Sequence, residues 1–388
     1  MITMTPLPRW LDLSAALLPG SGPDDGALAE PWRRGGEAAF WFSRSAWALQ
    51  AIVLWWESLH GRRPSLWLPD YFCNHPTAPL RRSETRLVFY PVGDDLEPDW
   101  GECRTMAAAG PPDLFVLVHY FGLAADAGRA RAFCDAEGAL LIEDGAHALG
   151  PSAAIGGNGD FVFYSPHKLL ALADGGLLLV RDPAQAQAMA AASNNTGWNG
   201  LRAPNWWPWT AKRMVQKILP AAVGGRLLRR RMLPFEEDPP FARLDQRTRI
   251  TPLSRRMIAK ASRQLDAAAA ARRRNAEALA RSLDGLAGCR PLAGGEGGQE
   301  TVPYRLVLRF DDPAAAAACY DDFRKLGLPA ESWPDLPPEV LGHPRRHATA
   351  IKLRRTQLLL PVHQTAPADE LAVRYGKAIS GRKSSAKT

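Results

Sequence analysis

The chain has 388 residues, 46% of them hydrophobic, and its 48 basic and 40 acidic residues give a formal net charge of +8. This composition excludes a disordered protein, and the length suits one large and one small domain. No stretch approaches the roughly 18–20 apolar residues of a membrane-spanning helix, and the N-terminus has no signal-peptide pattern, so we expect a cytoplasmic protein. The five cysteines are odd in number, far apart and without a CxxC pair, which predicts reduced thiols and argues against a zinc site or a disulfide framework.

From about residue 40 to residue 180, short apolar runs alternate with segments long enough for helices. This alternation is typical of an α/β fold, in which crossover helices connect the strands of a parallel sheet. Ligands of such a sheet bind at the carboxyl ends of its strands. The predicted strands are 65–69, 86–92, 114–120, 139–144, 161–165 and 176–181, and the predicted helices are 45–60, 126–137 and 183–193.

The remaining sequence predicts a second, smaller domain. One long Ala- and Arg-rich helix is expected at 255–286, and the apolar runs from Val302 onward indicate a small α+β domain. The large domain includes a basic, tryptophan-rich insertion. The predicted limits are 1–250 for the large domain, 198–240 for its insertion, 251–380 for the linking helix and small domain, and 381–388 for a disordered tail.

The positive charge is concentrated in one segment. Residues 201–274 contain 18 basic and 5 acidic residues, so the rest of the chain is slightly acidic. No zinc-finger, RNP-like or heptad pattern accompanies this segment, so we do not expect nucleic-acid binding. Within 198–231, four tryptophans precede alternating basic and apolar residues. Such a segment is either a solvated or dimer-facing helical insertion or a contact with an anionic bilayer interface, and both interpretations stay open.

The pattern most indicative of chemistry lies at residues 140–180. A buried strand ends on Asp144, His147 follows it, and Ser165 and Lys168 stand at the end of the next strand. Lysine is scarce in this chain, with nine residues against 39 arginines. A buried carboxylate and a lysine on neighbouring strand ends suit pyridoxal phosphate. The lysine bonds to the cofactor's aldehyde and later moves a proton, while the carboxylate keeps the pyridine nitrogen protonated.

This segment resembles the DegT/DnrJ/StrS aminotransferases, which are fold-type I pyridoxal-phosphate enzymes that aminate nucleotide-linked keto-sugars. The resemblance extends from about residue 40 to residue 375, and its variant pattern is similar to a divergent branch associated with bacterial polysaccharide clusters. It implies a large domain with a mainly parallel seven-stranded sheet flanked by helices, a small C-terminal α+β domain, and a homodimer. The matching segments are 68–71 (LPDY), 118–122 (VHYFG), 143–147 (EDGAH), 159–160 (GD), 168 (K), 174–176 (DGG) and 360–363 (LPVH).

Carried over residue by residue, the resemblance implies that Lys168 is the catalytic lysine and that Asp144 contacts the pyridine nitrogen. His147 stands where the family usually has Gln and could hydrogen-bond the ring hydroxyl; the alternative is a core histidine. Ser165 is expected at the phosphate. Its spacing to the lysine matches the S-x-H-K of cysteine desulfurases, in which Ser and His serve the cofactor. We expect His167 to be structural in this chain.

The family's phosphate-binding helix begins with S-G-T-x-A-L, which reads Ser43 to Leu49 here. We therefore expect Ser45 and Ala46 at a helix N-terminus that faces the cofactor phosphate. Arg44 replaces the family's glycine, and it either adds charge at the phosphate or points to solvent.

The residue that stacks on the cofactor ring falls at Cys73, where the family has an aromatic side chain. Either the ring leans on Cys73, with Phe72 or His119 nearby, or Cys73 is a strand cysteine without cofactor contact. The family's G-x-N-x-R segment, which reaches the partner's active site, has no Asn here, so Ser254 or Arg255 would have to serve.

These residues predict a pyridoxal-phosphate aminotransferase that moves an amino group from an amino acid, glutamate, to a keto-sugar. The expected setting is bacterial polysaccharide or secondary-metabolite biosynthesis. Two alternatives stay open: another pyridoxal-phosphate reaction of lyase or desulfurase type, and a non-catalytic relative that contacts membranes through 198–231.

Overall fold

A central sheet of seven strands organises the computed structural model, which describes residues 2–14, 23–196, 202–218, 234–237, 246–284, 286, 288–292 and 301–385. Parts of the 198–231 segment, including Trp198 and the arginines at 226–231, lie outside these residues. The strands of the sheet are β1 (Ala38–Phe42), β2 (Ser65–Pro69), β3 (Arg86–Tyr90), β4 (Leu114–Val118), β5 (Leu140–Gly145), β6 (Phe161–Tyr164) and β7 (Gly176–Val180).

The strand order is β1-β7-β6-β5-β4-β2-β3. The five strands from β3 to β6 run parallel, and β7 and β1 complete the sheet in antiparallel orientation. The predicted mainly parallel seven-stranded sheet is therefore confirmed. Strand β1 was not predicted, because its run AAFWF is short and only its last two residues are buried.

Helices cover both faces of this sheet. The central strands β2, β4 and β7 are buried at every position, which explains their unbroken apolar runs. None of the described helices is long and apolar enough to cross a membrane. The helices are α1 (Trp10–Leu13), α2 (Asp25–Ala29), α3 (Ser45–His60), α4 (Ala78–Arg82), α5 (Trp100–Ala109), α6 (Ala127–Glu137), α7 (Pro166–Leu169), α8 (Pro183–Thr196) and α9 (Trp207–Ile218).

The C-terminal part contains a second sheet with antiparallel order β10-β9-β8. Its strands and the helices that accompany them enclose a separate apolar cluster, which includes Leu308, Phe323 and Leu358. The elements are α10 (Pro252–Ala261), α11 (Leu265–Ser282), β8 (Cys289–Pro291), β9 (Arg305–Phe310), α12 (Pro313–Lys325), α13 (Pro338–Leu341), α14 (Ala348–Thr356), β10 (Gln357–Pro361) and α15 (Ala368–Ser385).

Two expectations for this part differ from the structure. The single helix expected at 255–286 is two helices, α10 and α11, joined by a 3₁₀ turn at Ser262–Gln264. Helix α15 continues to Ser385, so the structure has helix at 381–385, where disorder was expected. Residues 386–388 lie outside the described part.

Candidate active site

The carboxyl ends of β5 and β6 bring Asp144 and Lys168 into one site. Asp144 lies near the end of β5, is buried, and accepts a hydrogen bond of 2.8 Å from the backbone N–H of Ala146. Lys168 lies on α7, the short turn that follows β6. Burial raises the pKa of Asp144, and the charge of Lys168 opposes that rise. The two groups are therefore close enough to interact electrostatically, as their positions at neighbouring strand ends predict.

The N-terminus of α3 forms an anion-binding site. The helix begins at Ser45, and the residue before it, Arg44, makes no side-chain cap, so the first N–H groups of the helix have no side-chain acceptor there. The Ser165 hydroxyl donates to the Ser45 hydroxyl at 2.7 Å, and both are buried. A Cβ at Gly176 would lie 2.4 Å from backbone atoms of Arg44 and Ser45, so only glycine lets β7 approach this helix end. Ser45, Ser165 and the helix dipole thus converge on a site suited to a phosphate.

Arg44 turns back toward the protein. Its guanidinium donates to the carbonyl oxygens of Ser43 at 2.8 Å and Ala173 at 3.3 Å. The neighbouring His167 donates from Nδ1 to the Gly175 carbonyl oxygen at 2.7 Å. Burial, with the charge of Arg44, lowers the pKa of His167 well below its ordinary value, so this histidine is neutral. This contact ties the turn that carries Lys168 to the start of β7.

His147 is held as a neutral hydrogen-bond donor. Its Nδ1 accepts the backbone N–H of Phe121 at 3.2 Å, and its ring stacks on Tyr304 with centroids 4.4 Å apart. Burial, with the charges of Lys168 and Arg305, lowers the pKa of His147 well below its ordinary value. The single ring proton therefore lies on Nε2, which can donate to an acceptor such as a ring hydroxyl.

Hydrogen bonds within the fold fix the ring of His119. Its Nδ1 accepts the Ala125 backbone N–H at 3.1 Å, and its Nε2 donates to Glu143 at 2.9 Å. Both ring nitrogens are thus engaged inside the fold. Phe72 is also a core residue, since it is buried in the main apolar cluster.

Glu143 anchors the loop before β6. Besides His119, its carboxylate accepts the backbone N–H groups of Gly156, Asn158 and Gly159 at 2.6–2.7 Å. Burial alone would raise the pKa of Glu143, but the hydrogen bonds from His119 and from the backbone N–H groups outweigh it and lower the pKa to about 2. Glu143 is therefore an ionised structural group next to Asp144.

Cys73 lies at the site as a neutral thiol. Burial raises its pKa to about 12, and the charges of Lys168 and Asp144 both act on it. The next residue, Asn74, makes two hydrogen bonds to the C-terminal part. Its backbone N–H donates to Asp335 at 3.0 Å, and its Nδ2 donates to the Leu336 carbonyl at 2.6 Å. The loop that carries Cys73 is thereby fixed.

Trp333 is an aromatic residue of the site that the sequence did not indicate. Its indole stacks on Tyr71 with centroids 4.5 Å apart and meets the His147 ring edge-on at 6.0 Å. The residue comes from the loop after α12, far along the chain. A WPDLPP run marks a rigid loop, but it does not indicate which site the loop covers.

The residues expected to reach a partner's active site are engaged within their own chain. Asp174 accepts hydrogen bonds from the Thr251 backbone N–H at 3.3 Å and hydroxyl at 3.0 Å, and its own N–H donates to Ser254 at 3.2 Å. Arg255 pairs with Asp25. The DGG element therefore holds the start of α10.

Arg272 supports the turn that carries Lys168. Its side chain is fully buried, and its guanidinium donates to the Leu169 carbonyl at 2.7 Å and to the Tyr304 carbonyl at 3.3 Å. Gln364 donates to the same Leu169 oxygen at 3.0 Å. Burial lowers the pKa of Arg272 to about 9, so it remains protonated at neutral pH. Residues from the C-terminal part thus fix the catalytic turn.

This set of groups fits pyridoxal phosphate. The N-terminus of α3, with its paired hydroxyls, suits the phosphate; the buried carboxylate of Asp144 suits the pyridine nitrogen; the Nε2–H of His147 suits the ring hydroxyl; and Lys168 suits the aldehyde. The fold and this site define a pyridoxal-phosphate-dependent aminotransferase of fold type I.

A sequence model of the DegT/DnrJ/EryC1/StrS aminotransferase family matches residues 113–317. The chain belongs to this family. A search of curated proteins found no match.

Solved structures share the fold at low sequence identity. The aminotransferase TlmJ from Streptoalloteichus hindustanus superimposes with a TM-score of 0.70 at 20% identity, over 99% of both chains. PseC from Helicobacter pylori, an aminotransferase involved in the biosynthesis of pseudoaminic acid, has a TM-score of 0.66 at 14% identity, over 92% of this chain and 90% of its own. DesI, solved in the presence of its TDP-sugar product, has a TM-score of 0.65 at 18% identity, over 94% of this chain and 86% of its own.

Proposed function

We propose that this enzyme transfers an amino group from glutamate to the keto group of a nucleotide-linked sugar, in bacterial polysaccharide or secondary-metabolite biosynthesis. The observation that carries the transfer chemistry is the placement of Lys168 beside the buried Asp144, with a neutral His147 next to them. The similarity to PseC and DesI supports a sugar acceptor, and the TDP-sugar product of DesI supports a nucleotide link.

Each side chain has a defined task in this proposal. Bound pyridoxal phosphate supplies an electron sink for the bond-breaking step. Asp144 keeps a proton on the pyridine nitrogen, and the Nε2–H of His147 orients the ring through its hydroxyl. Ser45 and Ser165, with the N-terminus of α3, bind the phosphate. Lys168 Nζ would take a proton from the donor's α-carbon and deliver it to the aldehyde-derived carbon of the cofactor, on the other side of the shared nitrogen.

A desulfurase reaction has less support, although the SPHK spacing resembles that of desulfurases. Such a reaction needs a nucleophilic thiolate. Burial raises the pKa to about 12 for Cys73, Cys103, Cys134 and Cys289, so these thiols stay protonated at neutral pH. A non-catalytic role is disfavoured by the presence of both Asp144 and Lys168.

The transfer is tested by absorbance of the purified protein with pyridoxal phosphate. The protein should show the yellow band of the bound cofactor, and glutamate should bleach it. Lys168→Ala should abolish the bleaching, whereas Lys352→Ala, at an exposed lysine paired with Asp94, should not. A protein that binds no cofactor, or one whose band ignores every amino donor, would contradict the proposal.

The acceptor is tested by comparing a TDP-linked keto-sugar with the same sugar lacking the nucleotide. We expect a kcat/KM at least a hundredfold higher for the linked sugar, followed as amino-sugar product by mass spectrometry. Equal values for the two acceptors would refute the nucleotide link and leave the transfer reaction intact.

We also propose that the enzyme acts as a homodimer, as the family resemblance implies. Multi-angle light scattering should give twice the chain mass of 42.4 kDa. A mass of one chain for a fully active enzyme would contradict this state.

A further inference from the structure

Helix α9 turns an apolar face toward solvent. The exposed fraction is 58% for Trp207, 38% for Met214, 39% for Val215 and 66% for Ile218. With Ala211, these residues follow an i, i+4, i+7, i+8, i+11 pattern, which places them on one side of the helix. A helix of a globular protein normally buries such a side, so this one is available for another partner.

The opposite side of α9 attaches the helix to the body of the protein. Thr210 is buried, and Trp206 and Trp209 pack against the apolar cluster that includes Leu253. Arg213 donates to the Thr5 hydroxyl at 3.1 Å. These contacts fix the orientation of α9, and its apolar side consequently points away from the part of the protein that the structure describes.

The exposed apolar side continues onto the N-terminal segment. The exposed fraction is 52% for Trp10 and 66% for Leu11. The Lys217 ammonium lies 5.4 Å from the centre of the Trp10 ring, which joins the two segments. We call the six residues Trp10, Leu11, Trp207, Met214, Val215 and Ile218 the α9 surface.

The charge on helix α9 itself has one sign, and Asp12, which follows Leu11, is paired with Arg9 and Lys260. Helix α9 contains Lys212, Arg213 and Lys217 and no acidic residue, and the sequence from 198 to 231 adds five arginines, again without an acidic residue. A two-fold contact of this surface with a second copy would set like charges against each other. An anionic partner, in contrast, complements the lysines, and a partner with an apolar layer beneath its charged groups also accommodates the aromatic and aliphatic side chains.

We propose that the α9 surface docks on an anionic lipid bilayer. Its tryptophans and aliphatic side chains enter the boundary between headgroups and acyl chains, and Lys212 and Lys217 contact lipid phosphates. Helix α9 has 12 residues and lies along the bilayer surface without crossing it. The enzyme binds reversibly, because a single short helix buries little apolar area in lipid.

Vesicle flotation with the full-length, cofactor-loaded enzyme tests this docking. Vesicles of phosphatidylcholine with 30–40% phosphatidylglycerol, roughly the content of an anionic membrane, should bind the protein, and pure phosphatidylcholine should bind it weakly. The double variant Lys212→Gln/Lys217→Gln should bind anionic vesicles about 30-fold less, which corresponds to about 1 kcal/mol for each lysine near the surface. Raising the salt concentration should weaken binding of the unchanged protein.

A second double variant, Trp207→Ser/Ile218→Ser, removes the apolar contribution and should lower binding at least tenfold. The matched control is Lys325→Gln/Leu326→Ser, which changes an exposed lysine and an exposed leucine at the end of α12. This control should bind like the unchanged protein, and all three variants should keep the cofactor's absorption band.

Equal binding to neutral and anionic vesicles, or equal loss in the control, would overturn the proposal. Light scattering without lipid tests whether a second copy of this chain covers the α9 surface instead. If Trp207→Ser/Ile218→Ser halves the mass of the particle, the α9 surface is a contact between copies of this chain, and the docking on lipid is refuted.

Discussion

Glu143 offers a quantitative test of how the site is supported. Its carboxylate accepts four N–H groups, so the substitution Glu143→Gln replaces one acceptor oxygen with a donor. Whichever way the new amide turns, its NH₂ group faces two buried N–H groups, either His119 with Gly156 or Asn158 with Gly159. Each N–H group left without an acceptor costs about 1–3 kcal/mol.

The pKa of Glu143 gives a second value for the stability that this carboxylate contributes. The hydrogen bonds that form on folding lower the pKa of Glu143 from 4.5 to about 2. At 1.36 kcal/mol per pH unit, this difference corresponds to about 3 kcal/mol of folding stability at neutral pH. Because the pKa is lowered in the folded state, this contribution is complete above about pH 5 and is lost as the pH falls through 4.5 toward 2.

We therefore expect Glu143→Gln to lower the free energy of unfolding by about 3 kcal/mol in urea at pH 7. Amide exchange in peptides that cover 155–160 should be faster by about 100-fold, if that loop opens locally. The control Glu331→Gln, at a half-exposed carboxylate 3.8 Å from Arg305, should change stability by less than about 1 kcal/mol.

The pH dependence decides whether the carboxylate charge is responsible. The stability difference between the unchanged protein and Glu143→Gln should shrink by about 1 kcal/mol from pH 5.5 to pH 3.5. Two results would refute the assignment of Glu143 as an ionised anchor. One is that Glu143→Gln loses no more stability at pH 7 than the control Glu331→Gln, and the other is that its loss of stability does not change with pH.

Three further predictions test other parts of the site. Gly176→Ala should raise the Kd for pyridoxal phosphate at least tenfold, because its Cβ would lie 2.4 Å from backbone atoms of Arg44 and Ser45. The control Gly150→Ala, whose Cβ would have no atom nearer than 4.0 Å, should leave the Kd unchanged. Equal Kd values for the two variants in fluorescence titrations would contradict this prediction. Burial keeps the pKa of His147 well below its ordinary value. A plot of kcat against pH should therefore show no inflection from this residue between about pH 5.5 and 8. An inflection that disappears in His147→Gln would refute the neutral ring. Asp70→Leu removes the buried partner that lies 2.9 Å from His347. It should lower the free energy of unfolding in urea by about 3–5 kcal/mol, and Asp70→Asn should lower it by less than half as much. Equal losses of stability in the two variants would argue against the pair.

Local patterns account for what the sequence predicted well. The bounds of α3 were predicted at both ends, because the helix stops at Gly61, whose φ of 65° favours glycine. Asp144 and Lys168 were found because a polar residue that ends an apolar strand stands out, and because parallel strands bring their carboxyl ends together.

Contacts between distant parts of the chain account for what was missed. Arg272, Tyr304 and Trp333 lie more than 100 residues from Lys168, and nothing near them in sequence marks them as site residues. The break between α10 and α11 was missed for a related reason. The Ala- and Arg-rich run there contains neither Gly nor Pro, so only packing determines where the helix bends.

The hydrogen bonds at the Leu169 carbonyl tie the integrity of the active site to the C-terminal part of the chain. Arg272 on α11 and Gln364 after β10 both donate a hydrogen bond to this oxygen, which belongs to the residue directly after Lys168. The turn after β6 therefore depends on the C-terminal part of the chain for two of its hydrogen bonds. A truncation before residue 364 would remove one of these donors, and such a chain could keep its central sheet and still lose the alignment of its lysine.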